Sequence, residues 1–144
     1  DKKAFTYTGA LHTYFAVSDV SNVGIHGLEG CVYLDKVDGY ARKTQEGAVT
    51  IDDEVDRIYQ DTTADCVIED PGLNRRIRVA KTGSRTTVIW NPGSKKAKDI
   101  PDFLPHEYRE MVCVETANAA DDQILVLPGE YHVVSVTISV ERIT

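Results

Sequence analysis

The chain has few of the residues that several common kinds of site require. Its 144 residues include only three cysteines, Cys31, Cys66 and Cys113, with no CxxC pair and no histidine at zinc-ligand spacing. Scattered cysteines of this kind are typical of reduced thiols in a cytoplasmic protein rather than of a disulfide framework. No apolar run approaches the ~20 residues needed to cross a bilayer. We therefore expect a cytoplasmic protein that does not enter a membrane.

Positive charge is scarce as well. Lysine and arginine total 16 against 23 aspartates and glutamates, which gives a formal net charge of −7. A nucleic-acid surface needs clustered lysine and arginine, so we predict no nucleic-acid partner. P-loop, GxGxxG and GxSxG motifs are absent. The acidic stretch 52–56 lacks the alternating oxygen ligands and the glycine of an EF-hand loop, so we predict a solvated loop and no metal.

The chain is rich in short β-forming segments that are separated by turn residues. This spacing is typical of an all-β protein, and we predict an antiparallel β-sandwich in a single domain over residues 1–144. The predicted strands are residues 10–17, 24–26, 31–34, 48–51, 57–60, 66–69, 75–81, 86–90, 110–115, 123–127 and 131–142.

The last of these segments has the clearest periodicity. Val134, Val136, Ile138 and Val140 alternate with polar residues, which predicts a half-exposed antiparallel strand. Residues 82–85 are predicted to form a hairpin turn, and 128–130 a turn before the last strand. The prolines in 97–108 predict a loop with at most one turn of helix.

Two titratable side chains lie on apolar segments. Glu115 ends the run that begins at Met111, and His12 lies between Leu11 and an aromatic pair. Either residue alone is more often structural than catalytic. A carboxylate and an imidazole together form a minimal pair for general acid–base chemistry near neutral pH.

Short motifs along nearly the whole chain resemble, in order, the hexose-6-phosphate mutarotases. These proteins form the glucose-6-phosphate 1-epimerase family within the galactose-mutarotase-like superfamily. The matching segments are Ala10–Phe15, Val17–Val20, Val23–Leu28, Asp56–Tyr59, Leu73–Ile77, Val88–Pro92, Pro101–Phe103, Glu107–Tyr108, Met111–Glu115 and Leu127–Glu130.

The resemblance implies a fold, a reaction and a set of site residues. The fold is the antiparallel supersandwich of that superfamily, and the reaction exchanges the α and β anomers of a hexose 6-phosphate or a related aldose. By resemblance, His12 and Glu115 are the catalytic pair and Asp56 contacts the sugar. Anomer exchange is an isomerisation that moves protons only, so we expect no metal and no cofactor.

The chain departs from the family in two loops and in length. Gly93 stands where many members have tryptophan, and Thr116-Ala117 where many have Pro-Gly. The resemblance covers the C-terminal half of longer proteins, whose N-terminal half carries the arginines that hold the phosphate. We therefore expect exposed strand edges, covered by a missing N-terminal half or by a homodimer partner. The alternative to an enzyme is a non-catalytic carbohydrate-binding or interaction module.

Overall fold

The computed structural model describes residues 2–144 and confirms a protein built from short strands. The turn residues in the sequence separate these strands, and several turns contain a single 3₁₀ turn. The strands are β1 (Phe5–Tyr7), β2 (Gly9–Leu11), β3 (Tyr14–Ala16), β4 (Gly24–His26), β5 (Val32–Asp35), β6 (Ala41–Thr44), β7 (Val55–Tyr59), β8 (Cys66–Asp70), β9 (Arg75–Thr82), β10 (Thr86–Asn91), β11 (Met111–Asn118), β12 (Ile124–Val126) and β13 (Ser135–Arg142).

The strands form three antiparallel sheets. The largest has seven strands in the order β2-β11-β10-β7-β5-β6, with β3 also paired to β11. A second sheet has the order β13-β9-β8-β4, and β1 pairs with β12. A short helix, α1 (Gly93–Ala97), follows β10, and the 3₁₀ turn Glu107–Glu110 begins at the end of the loop predicted for 97–108. Within the described residues, no helix is long and apolar enough to cross a membrane.

The core lies between the two larger sheets. Alternate residues of β11, Val112 and Val114, join the same buried cluster as Ile77 and Val79 of β9. This follows from the strand period of two, which sends one set of side chains inward. All eight residues of β11 are buried, and this strand is paired on both sides, with β10 on one side and with β2 and β3 on the other.

Several predicted strands have other bounds in the structure, and two of them differ in more than their ends. The segment 10–17 is divided into β2 and β3, because the amide of Thr13 donates to the carbonyl of Leu11 (2.9 Å) instead of to a neighbouring strand. In the segment 48–51, only an isolated bridge between Val49 and Ile25 forms. The first of these differences matters for the site, since the break falls at His12.

The hairpin predicted at 82–85 is wrong. β9 and β10, which flank it, belong to different sheets, so the segment is a corner between the sheets. Gly83 has φ +74°, and a Cβ there would collide with the carbonyl of Val133. Glycine is required because the corner needs both a left-handed backbone and a close chain approach.

The predicted last strand forms only from residue 135 onward, as β13, and residues 131–134 of the predicted segment lie outside it. β13 pairs with β9 along its whole length at the edge of its sheet. Its apolar side is largely uncovered, with Ile138 45% and Val140 61% exposed. The partners of these residues in β9, Val79 and Ile77, lie in the core. β13 therefore extends the core-facing side of its sheet beyond the part that the larger sheet covers.

Candidate functional site

Strand register brings His12 and Glu115 together. Leu11 of β2 pairs with Thr116 and Tyr14 of β3 pairs with Cys113, so both strands keep one register on β11. Continued across the break, that register places His12 directly opposite Glu115. The His12 Nε2 atom lies 3.6 Å from Glu115 Oε2, an ion-pair distance. Such a contact is loose for a hydrogen bond, and catalytic contacts commonly tighten when substrate binds.

Glu115 lies on the side of the larger sheet that faces away from the core. Val112 and Val114 point into the core, so Cys113 and Glu115 point to the other side. Cys113 is buried, but it does not join the core between the sheets. Burial raises the pKa of its thiol, which makes it a poor nucleophile.

Aromatic rings surround the imidazole of His12. The ring stacks on Tyr14 with centroids 4.9 Å apart, and the edge of Trp90 approaches it with centroids 5.8 Å apart. The His12 side chain is 49% exposed and Tyr14 56%, whereas Glu115 is 5% exposed. The pair thus combines a buried carboxylate with an accessible imidazole, next to an apolar aromatic surface.

Asp56 lies on the same side of the sheet. It pairs with Trp90 across β7 and β10, and Trp90 pairs in turn with Cys113 of β11. The acidic stretch was predicted to be a solvated loop, which is correct for the exposed Asp52 but wrong for Asp56, which is buried. The Asp56 carboxylate instead forms an ion pair with Lys36, with Oδ2 3.2 Å from Nζ.

The pKa of Glu115 is raised above its ordinary value. Burial is the main cause, and the negative charge of Asp56 acts in the same direction. The positive charges of His12 and Lys36 act in the opposite direction. A carboxyl whose pKa is raised toward the working pH is suited to both accept and return a proton.

Three residues of this site, Tyr14, Trp90 and Lys36, were not identified as site residues from the sequence. Strand alternation after the core residue Ile89 was a usable signal for Trp90, because it places the indole on the side opposite the core. No local signal pointed to Lys36. It follows β5 directly, and only the pairing of β5 with β7 brings it to Asp56.

The Asn-Pro-Gly sequence after Trp90 supports the site. The buried amide nitrogen of Asn91 donates to the carbonyls of Tyr108 (2.8 Å) and Met111 (2.9 Å), and its Oδ1 accepts from the amide of Gly93 (2.9 Å). These bonds tie the end of β10 to the beginning of β11. Gly93 has φ +64° and passes close to the backbone of Glu54, which explains a glycine here.

The fold and the site together define a class of protein: an antiparallel β-sandwich with a carboxylate–imidazole pair on the outer side of its larger sheet. The sequence model described as aldose 1-epimerase matches residues 1–139. The chain belongs to the aldose 1-epimerase family.

Relatives within this family are considerably longer than the chain. A protein from Cenchrus ciliaris is 42% identical over 131 residues, which are 90% of this chain and 40% of the relative. One from Escherichia coli K12 is 39% identical over 120 residues, 83% of this chain and 40% of the relative. Both carry the name "Putative glucose-6-phosphate 1-epimerase". The chain therefore spans about two fifths of the length of these relatives.

A solved structure confirms the predicted fold. The "putative mutarotase (YeaD)" from Salmonella typhimurium is 34% identical and superimposes with a TM-score of 0.90. The superposition covers 97% of this chain and 47% of that protein. This share is consistent with the prediction that the chain corresponds to the C-terminal half of such a protein.

Proposed function

We propose that the chain carries the acid–base centre of a hexose-6-phosphate 1-epimerase, an isomerase that interconverts α and β anomers. The observation that carries the proposal is the contact between His12 and Glu115, 3.6 Å apart in a member of the aldose 1-epimerase family. The raised pKa of the buried Glu115 supports its role as a base that releases its proton again.

The proposed reaction moves protons at two oxygens of the sugar. Glu115 accepts the proton of the C1 hydroxyl while protonated His12 donates to the ring oxygen, so the C1–O bond of the ring breaks and a C1 carbonyl forms. Rotation about the C1–C2 bond exposes the other face of the carbonyl. Ring closure reverses both transfers, with Glu115 as acid and His12 as base, and leaves the enzyme unchanged.

The other residues of the site fit a sugar. We assign Asp56 as the acceptor for a sugar hydroxyl, because its carboxylate lies on the same side of the sheet as Glu115. Tyr14 and Trp90, with ring centroids 6.0 Å apart, provide an apolar surface for the carbon face of the ring. The names of the two relatives support glucose 6-phosphate as the substrate.

We further propose that another polypeptide surface completes the domain. Three observations support this cover: the apolar side of β13 is exposed to solvent, the His12 side chain is exposed, and the relatives are longer than the chain. The cover is the part of the sandwich that the relatives have in addition, or a second copy of the chain. A cytoplasmic location is supported by free cysteines at all three positions.

Binding of a carbohydrate without turnover is the second candidate. The open surface at His12 favours it, since an acid–base centre is more effective when closed to water. In this case the aromatic rings and Asp56 would hold the sugar, and the His12–Glu115 pair would be a remnant.

Magnetisation-exchange NMR on glucose 6-phosphate tests the two candidates. We expect the chain to exchange the α and β signals faster than buffer, and His12→Ala or Glu115→Gln to lower the rate by about 10²–10⁴-fold. Glu141→Gln, on exposed β13, is the matched control and should retain the full rate.

Line broadening of the sugar by the wild-type chain, without exchange above buffer, would support the binding module. Exchange that survives both substitutions would contradict the assignment of the pair.

A further inference from the structure

The position of Lys36 is determined by a continued strand register. β5 pairs with β7 so that Leu34 lies opposite Ile58 and Asp35 opposite Arg57. One further step places Lys36 opposite Asp56, although pairing ends at Asp35. The 3₁₀ turn that begins at Lys36 is capped by Asp35, whose carboxylate accepts from the amide of Val37 (3.1 Å). Lys36 is therefore held at a defined place on the site side of the sheet.

Without a cation, the site would hold two nearly buried carboxylates. Asp56 is 9% exposed and Glu115 5%, and the charge of Asp56 disfavours ionisation of Glu115. The ammonium of Lys36 lies 3.2 Å from Asp56, and its side chain remains 37% exposed. It offsets the charge of Asp56 while the carboxylate stays in the site.

We propose that Lys36 is a positioning residue of the site: through its ion pair it holds Asp56 against the sheet as a hydrogen-bond acceptor and limits the repulsion between Asp56 and Glu115. This inference rests on the proposed function for the identity of the substrate, and on the structure alone for the charge arrangement. Lys36 does not touch the reacting atoms and acts through Asp56.

The other ionisable groups facing Glu115 do not replace Lys36. The His12 imidazole, at the break between β2 and β3, lies against Glu115 itself. The side chains of Tyr14 and Cys113 carry no positive charge. Lys43, the neighbouring lysine on the same hairpin, has its Nζ 2.8 Å from both Asp35 and Asp38. The ammonium of Lys43 is therefore paired with those two carboxylates, and Lys36 supplies the cation at Asp56.

Carboxyl ¹³C NMR of the glutamate-labelled chain tests the inference without requiring turnover. Glu115 is assigned by loss of its signal in Glu115→Gln. We expect Lys36→Met to raise the titration midpoint of Glu115 by roughly half a pH unit or more. Lys36→Arg should preserve the wild-type midpoint. The double variant Lys36→Met/Asp56→Asn should return it toward wild type, because both opposing charges are removed together.

Lys96→Met is the matched control. Lys96 is also half-exposed and forms one ion pair, with Glu54 at 3.0 Å, but it lies on α1 outside the site. We expect it to leave the Glu115 midpoint unchanged. An unchanged midpoint in Lys36→Met, or equal midpoints in Lys36→Met and the double variant, would overturn the inference.

Anomer exchange separates failure of the inference from failure of the proposed function. If the wild-type chain exchanges anomers, the acid limb of its pH profile should move to higher pH in Lys36→Met and not in Lys96→Met. If the midpoints shift as expected while the wild-type chain exchanges no faster than buffer, the charge arrangement stands and the epimerase function fails.

Discussion

At the scale of single residues, Glu115 links chemistry to stability. Because burial raises its pKa, the folded chain retains a proton that the unfolded chain releases at a pH of about 4.3. Between that pH and the raised value the folded state binds more protons. The free energy of unfolding therefore falls as pH rises through this window, and it stays lower above it. The buried carboxyl group thus lowers the free energy of unfolding at a pH above its raised pKa, where it is ionised.

Glu115→Gln should remove this loss of stability. We expect the variant to be more stable than the wild-type chain at a pH of about 8. The gain should shrink as pH falls to about 4, where the wild-type Glu115 is protonated and therefore neutral, as glutamine is. Urea unfolding at both pH values measures the difference. Glu141→Gln on exposed β13 should show no such pH-dependent gain. A gain in Glu115→Gln that is equal at both pH values would contradict the explanation.

At the scale of elements, the corner between β9 and β10 decides how the sheets are joined. Gly83 provides its left-handed backbone and lies against the carbonyl of Val133, just before β13. Gly129 has a similar φ of +81°, but a Cβ there would meet open space. The two glycines therefore separate the cost of the backbone conformation from the cost of the close approach.

We expect Gly129→Ala to lower the free energy of unfolding by about 1–2 kcal/mol, the cost of a left-handed conformation. Gly83→Ala should lower it by more, because the new methyl group must also displace the segment that leads into β13. Equilibrium unfolding in urea compares the two variants. Equal losses would show that the close approach at Gly83 does not constrain the corner.

At the scale of the whole molecule, the uncovered side of β13 is the main departure from a closed sandwich. Its apolar residues continue the core-facing side of the sheet, and the outer edge of the strand is at the end of the sheet order. Exposed apolar surface and an unpaired edge both favour association with another chain. This is the physical basis for proposing a polypeptide cover.

Val140→Lys should therefore reduce association of the isolated chain. We expect concentration-dependent self-association of the wild-type chain in sedimentation velocity, a clear reduction in Val140→Lys, and no change in Ser139→Lys, which adds the same charge on the opposite side of β13. A well-defined dimer would favour a second copy as the natural cover. A wild-type chain that is monomeric at all concentrations and behaves like Val140→Lys would contradict a second copy of the chain as the cover.

The local pattern of residues was enough to predict the all-β class and most of the strands, and it identified His12 and Glu115 as titratable side chains on apolar segments. Strand alternation and turn residues act over a few positions, so they can be recognised without a partner strand. The identity of the pair came from motifs whose order resembles one family. Those signals did not include the break at His12, which replaces one predicted strand with two.

Only the tertiary structure decided which residues share the site. Lys36, Asp56, Trp90 and Glu115 are far apart in the chain, and they meet because β5, β7, β10 and β11 pair in one register. Pairing between distant strands depends on how whole sheets pack, which no short segment encodes. The sequence therefore determined which groups could carry the chemistry, and the sheet register decided which of them act on one another.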